Sequence, residues 1–167
     1  TAPGLVFSDG LDAGAFFISG STLKLARFDG GAWDVTNAET AYTSSSNFPI
    51  DGTTVVTSAA ATPTATCVTL VTGNRIVPLT KGAAGFGVPL TNNPAANSLL
   101  VTKSRVTATG SRCDFAHLEP DGDLVFVDKA AGDFGVTSNF RTLRSGVSDF
   151  DAVDDLWGTY LWLASIE

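Results

Sequence analysis

Ala15-Phe16-Phe17-Ile18-Ser19-Gly20-Ser21-Thr22-Leu23-Lys24-Leu25-Ala26-Arg27-Phe28-Asp29-Gly30-Gly31-Ala32-Trp33-Asp34-Val35 is the stretch that decides the fold. After the short β-prone run Ala15 to Ile18, apolar residues recur at every second position, with Leu23, Leu25 and Arg27 on one side. That is the period of a half-buried strand. Ser19-Gly20-Ser21 and Asp29-Gly30-Gly31 punctuate the runs, and Asp-Gly-Gly tolerates the positive φ of a tight hairpin. Residues 15 to 36 therefore read as a three-stranded meander.

The same rhythm continues outward. Thr53 to Thr57 is rich in β-branched residues, and Ala59-Ala60-Ala61-Thr62-Pro63 is expected to break that strand. Thr66 to Val71 turns at Thr72-Gly73-Asn74 into Arg75 to Leu79, where Pro78 lacks an amide hydrogen and favours an edge or bulged strand. Lys81 to Gly87 reads as a flexible Gly/Ala loop. Ser98 to Thr109 is a long strand candidate closed by Gly110-Ser111, and Cys113 to Leu118 and Leu124 to Val127 form a hairpin across Glu119-Pro120-Asp121-Gly122-Asp123.

One helix is expected near the C-terminus. Ser148 and Asp151 have capping-box spacing, Phe150, Val153 and Trp157 share a helical face, and Gly158 would end the helix. Thr159 to Ala164 then reads as a final buried strand. Short strands with turn signals roughly 8–12 residues apart indicate a mainly β chain. The expected architecture is a single-domain antiparallel β-sandwich or Greek-key barrel over residues 11–167, with residues 1–10 as a docking arm.

Composition narrows the function. The 167 residues carry Lys+Arg 10 against Asp+Glu 17, a net charge of −7, so the chain has no electrostatic footprint for nucleic acid. Nothing approaches the roughly 20 apolar residues that span a bilayer, so no membrane partner is expected. Thr1-Ala2-Pro3-Gly4 lacks the basic and apolar regions of a signal peptide. Cys67 and Cys113 are far apart in sequence and outside any CxxC pair; they are expected to be buried as small hydrophobes, the alternative being a single bridge.

Catalytic groups are sparse. His117 is the one histidine, and any Ser–His–Asp or Cys–His relay would be built on it. Cys113 shares its strand face but lies about 13 Å away. A surface or half-buried strand histidine is the expectation. Asp121-Gly122-Asp123 begins like a calcium loop but lacks the remaining ligands, so turn chemistry is the plainer reading of those two aspartates. No pair among Glu39, Glu119 and the aspartates stands out for glycoside hydrolysis. The cluster Asp149, Asp151, Asp154 and Asp155 reads as helix-start charge and a solvated face. Gly82 to Gly87 lacks the Lys-Ser/Thr of a phosphate loop. No enzyme activity, metal or cofactor is expected.

Aromatics are the remaining lead. Trp33, Tyr42, Trp157, Tyr160 and Trp162 could stack on sugars, although aromatics on alternating strands more often fill a core or a subunit interface. Leu5-Val6-Phe7 tips the proposed arm.

The hairpin Leu23 to Val35, with its Phe28-Asp29-Gly30 turn and returning Trp33 strand, resembles hairpins in bacteriophage tail-fibre, head-fibre and decoration domains. Similar turns occur in β-propeller blades. The resemblance covers that one hairpin and carries no site residues with it. It implies a non-enzymatic structural component of a phage particle, foremost a capsid decoration (cement) or spike protein, then a tail-tube or tail-fibre one. Its partners would be copies of itself and the major capsid or tail protein, with a host surface glycan open to a spike, and its location the virion. The alternative is a secreted carbohydrate-binding or adhesive β-domain; a small carboxylate hydrolase ranks third.

Overall fold

The computed structural model describes residues 4–8, 12–46, 49–72, 75–82, 85–87, 103–130, 141–154 and 161–166. These form four antiparallel sheets, each built from strands consecutive in the chain. The first holds β1 (Leu5–Ser8), β2 (Ala13–Ser19), β3 (Thr22–Asp29) and β4 (Ala32–Thr43). The second holds β5 (Val55–Thr62), β6 (Ala65–Thr72), β7 (Arg75–Gly82) and β8 (Gly85–Phe86). The third, in the order β12-β11-β10-β9, holds β9 (Lys103–Thr109), β10 (Arg112–Leu118), β11 (Leu124–Ala130) and β12 (Arg141–Arg144). The fourth pairs β13 (Asp149–Asp154) with β14 (Leu161–Ile166). The expected meander is β2 to β4, and the Gly30-Gly31 turn takes φ of 58° and 99°, the left-handed region where a Cβ is disfavoured.

The sheets stack in chain order. Their opening strands lie side by side, β1 against β5, β5 against β9 and β9 against β13. Each junction has its own core. Phe7, Phe16, Leu23 and Leu25 of the first sheet pack on Val68, Leu70, Val77 and Leu79 of the second. Ala65 and Cys67 meet Val106, Cys113 and Phe115 between second and third. Ala116, Leu118 and Leu124 meet Phe150 at the last junction, with Val147 beside them. The chain is thus mainly β, antiparallel and layered, with no helix among the described residues. Successive meanders with adjacent first strands follow the building plan of propeller blades. Among the described residues no comparable packing joins the fourth sheet back to the first.

Several local expectations are corrected. The segment read as a helix is strand β13: Phe150 is buried and Ala152 half-buried while Asp149, Asp151 and Val153 are exposed, a period of two. The Asp149 and Asp151 carboxylates accept hydrogen bonds from the next residue's amide and pair with Lys103 and Arg105, so they are not capping a helix. Residues 155–160 of that reading lie outside the described residues. Ala59 to Ala61 do not break β5. They carry it between two other sheets, Ala59 and Ala61 packed on the first junction's core and Ala60 on the second's. Lys81 to Gly87 is not a free loop, since Lys81 and Gly82 end β7 and pair with Phe86 and Gly85. Among the described residues, Pro78 sits where β7 pairs with β6 alone, opposite Thr69. Of the final strand expected to be buried, Ala164 is exposed, and residues 159–160 and the side chains of 161–163 lie outside the description.

The two cysteines are neither free nor merely packed. Cys67 on β6 and Cys113 on β10 form a disulfide across the second junction, with Cα atoms 5.8 Å apart. Leu5–Ser8 of the expected arm is edge strand β1, paired in register with Ala13–Phe16. Phe7 is buried there, stacked on Phe16 at 5.4 Å and lying over the Cα of Gly14, where a Cβ would come within 2.4 Å of its ring.

Removing both thiols (Cys67→Ala with Cys113→Ala) should cost about 4 kcal/mol by the chain-entropy relation for a sequence separation of 46; guanidinium denaturation of the double variant checks it. An unchanged midpoint would mean the junction holds without the bond. Phe7→Ala should cost about 3–5 kcal/mol, the usual range for a buried phenylalanine, and calorimetry reads it. A variant as stable as the parent would make β1 dispensable to the core.

Candidate functional site

Residues directly paired across antiparallel strands share a face of their sheet. In the first sheet one face carries Phe16, Leu25 and Leu23 into the core. The other carries Val6, Ala15 and Ala26 in one row, Phe17, Lys24 and Thr40 in the next, and Phe28 with Trp33 near the turn. Val6 is 63% exposed and Trp33 37%; Phe28 and Val35 are exposed as well. Phe28 and Trp33 meet edge to face at 5.3 Å, so one ring holds the other upright. Lys24 is the charge on this face among its paired rows, its Nζ donating to Thr40 Oγ1.

The outer face of the fourth sheet is built differently. Phe150 and Ala152 pack into the core shared with the third sheet, while Asp149, Asp151 and Val153 are exposed and the two aspartates reach back to β9 of that sheet. Ile166 and Ala164, paired with Asp149 and Asp151, are exposed too. Lys103 Nζ donates to Asp149 Oδ1 at 2.5 Å and Arg105 Nε to Asp151 Oδ1 at 2.7 Å. The bond from Lys103 holds the Asp149 carboxyl below its ordinary value, and that from Arg105 does the same for Asp151. Both aspartates stay ionised at neutral pH.

The residues singled out by sequence fall into three groups. Val6 and Trp33 are on the outward face. Phe7 is in the core, Leu5 is half-buried, and Tyr42 is buried with its hydroxyl 2.9 Å from Ser45 Oγ. Trp157 and Tyr160 lie outside the described residues. Trp162 is placed by its backbone opposite Val153, and its side chain is likewise outside the description. Phe28, Val35, Val153 and Ile166 were not singled out. Their signal was the strand alternation itself, which marks both faces but not which one a neighbour covers.

A second feature lies between the first two sheets. Arg27, Lys81, Thr62, Thr64 and Thr66 line an open cleft of about 300 Å³. Lys81 is ion-paired with Glu39 across the junction and sits over the Phe86 ring. Thr62 and Thr64 both donate to the Gly110 carbonyl, tying the cleft's rim to the third sheet.

His117 is not at the surface. It has no exposed area, and burial pushes its pKa down to about 4, so it is neutral at physiological pH. Glu119 Oε1 lies 3.7 Å from Nε2, too far for a hydrogen bond. The carboxylates of Glu119, Asp121 and Asp123 converge within 4.8 Å, so the hairpin brings Glu119 to the aspartates read as a calcium-like turn. Partial burial, then the Asp121 and Asp123 charges, raise the Glu119 pKa. Its backbone bonds are those of a tight turn, Glu119 N to the Asp123 carbonyl and Gly122 N to the Glu119 carbonyl. Among the described residues no helix is long and apolar enough to cross a membrane, which leaves β-barrel insertion unaddressed.

The buried histidine makes stability depend on pH. Its folded pKa of about 4 lies below the unfolded value of 6.5, so the unfolded chain takes up the proton first. The contribution is complete above pH 6.5 and is lost as pH falls toward 4, about 3 kcal/mol in all. Glu119, raised on folding, acts in the opposite sense, losing stability as pH rises through its folded value. Urea denaturation of the parent and of His117→Gln across this window isolates the histidine: the parent should weaken relative to the variant on acidification, and parallel curves would contradict a neutral buried imidazole. No protein-family model matches the chain, and comparison with curated proteins finds no match.

Proposed function

We propose that this chain is a non-enzymatic structural component of a bacteriophage particle, a capsid decoration (cement) or spike protein ahead of a tail-tube or tail-fibre one. It works by packing its surface against neighbouring subunits. The observation that supports this reading is the side of the first sheet away from its core, which carries the exposed residues Val6, Phe28 and Trp33. Exposed apolar residues scattered singly are ordinary, and the touching pair Phe28 and Trp33 is what departs from that here. Phe28 and Trp33 hold each other edge to face, which limits the side-chain entropy a partner must freeze.

Two further features agree. A buried disulfide joining sheets suits a protein that persists in oxidising surroundings, such as a virion surface or the medium. A net charge of −7 keeps free subunits dispersed before they dock. The partners in this reading are further copies of the chain and a major capsid or tail protein.

Peptide mass spectrometry with copy-number quantification on density-purified particles tests the proposal. Hundreds of copies per particle are expected for a cement or tube role, and a handful for a spike or fibre. Recovery of the protein free in the medium and never with particles would overturn the virion reading in favour of a secreted glycan-binding domain. In that case sugar-induced changes in tryptophan fluorescence should vanish in Trp33→Ala.

A further inference from the structure

One row of the second sheet runs Ala61, Thr66, Lys81 and Phe86 from β5 to β8, each residue opposite the next. Directly paired residues share a face. Ala61 and Phe86 pack on the first junction's core, so the whole row looks toward the first sheet. A row of the first sheet runs Phe7, Gly14, Arg27 and Asp34, and its Phe7 fills the same core. Here the apolar filling of the junction ends. Arg27 lies over the Phe7 ring at 5.8 Å and Lys81 over the Phe86 ring at 5.5 Å. Beyond them opens the cleft of about 300 Å³, a volume at the small end of ligand sites.

Thr66 lies deepest among the cleft's hydroxyls, only 4% exposed. Its Oγ1 makes no hydrogen bond among the described residues. Unlike the sealed hydroxyls of Thr69 and Thr107, it keeps accessible surface, and that surface lies in the cleft. A hydroxyl held in the interior without a partner costs free energy, which a polar ligand reaching it would recover. The neighbouring threonines are engaged elsewhere. Thr62 and Thr64 donate to the Gly110 carbonyl at 2.6 and 2.7 Å, which fixes the Thr62-Pro63-Thr64 turn as a rim.

Among the described residues the lining carries two cations, Arg27 and Lys81, and no carboxylate. Glu39, outside the lining, takes one of the three N–H donors of the Lys81 ammonium. Asp34, opposite Arg27, has both oxygens hydrogen-bonded by Asn37. A guanidinium is shaped to hold the two oxygens of a carboxylate. Pro63 and Ala65 add apolar wall. Donors for an oxyanion, a hydroxyl able to donate and accept, and apolar surface beside them match one kind of molecule: a sugar ring bearing a carboxylate. A bare inorganic anion would meet the cations and leave the apolar wall uncovered.

We infer that this cleft binds a single acidic sugar unit, its carboxylate toward Arg27 and Lys81 and a ring hydroxyl on Thr66 Oγ1. The site goes beyond the assembly proposed above and is tested without it.

Amide NMR shifts of the isotope-labelled full chain, titrated at constant ionic strength with sodium glucuronate, glucose or inorganic phosphate, test the inference. Glucuronate should bind with a Kd of about 1 mM or tighter and move the amides of Thr66 and Lys81. Glucose, which lacks the carboxylate, should bind at least about tenfold more weakly, the loss expected for a charge-assisted bond. Thr66→Val keeps the β-branched shape and removes the hydroxyl. It should weaken glucuronate by about tenfold yet unfold at the parent's denaturant midpoint or above, because no internal bond is lost. A merely structural threonine would do the opposite, lowering the midpoint and leaving binding alone.

No shift with glucuronate overturns the inference, and so does glucose binding equally well. Phosphate binding as tightly as glucuronate, with Thr66→Val indifferent to both, reduces the cleft to simple charge attraction and overturns it too. If Thr66→Val does not fold, Arg27→Gln decides: it should erase the preference for glucuronate over glucose, and a retained preference rejects the site.

Discussion

The junction between the second and third sheets holds the molecule together. β5, β6, β9 and β10 meet there, and three kinds of bond cross it. Cys67 and Cys113 are joined covalently. Ser58 Oγ accepts the Val106 amide, and the Thr57 and Ser104 hydroxyls share a hydrogen bond of 2.6 Å. Thr62 and Thr64 close the end of it on the Gly110 carbonyl. The apolar cluster at this junction is small, with alanines and one phenylalanine where the first junction has several large side chains. A thin hydrophobic contact contributes little at about 25 cal/mol per Å², so the disulfide and the hydroxyl bonds carry what burial does not. Every other layer is positioned from this pair: the first sheet lies on β5, and the fourth is salt-bridged to β9.

Much of the strand order was legible because the turns announce themselves. Asp29-Gly30-Gly31, Gly110-Ser111 and Glu119 to Asp123 each close a hairpin where local chemistry demands one, and consecutive hairpins pair with their chain neighbours. Errors arose where local chemistry had two readings. Ser148 and Asp151 have the spacing of a helix cap, yet the aspartates answer to Lys103 and Arg105, which lie 46 residues away in the chain. Ala59 to Ala61 have poor strand propensity, and packing against the cores on both sides of β5 overrides it. The bond between Cys67 and Cys113 depends on which sheets stack, and no spacing within one strand reveals that.

The candidate surface was legible only in part, for a related reason. Alternation assigns Leu23 and Leu25 to one face and Lys24 and Ala26 to the other, but it does not say which face a second sheet will cover. Val6 and Phe7 are neighbours in a short apolar run, and one lies exposed while the other fills the core. His117 shows the same limit: a polar residue on a strand reads as half-exposed, and the stacking of the second sheet on β10 buried it completely. Position in the stack, which is a tertiary fact, separates interface from interior.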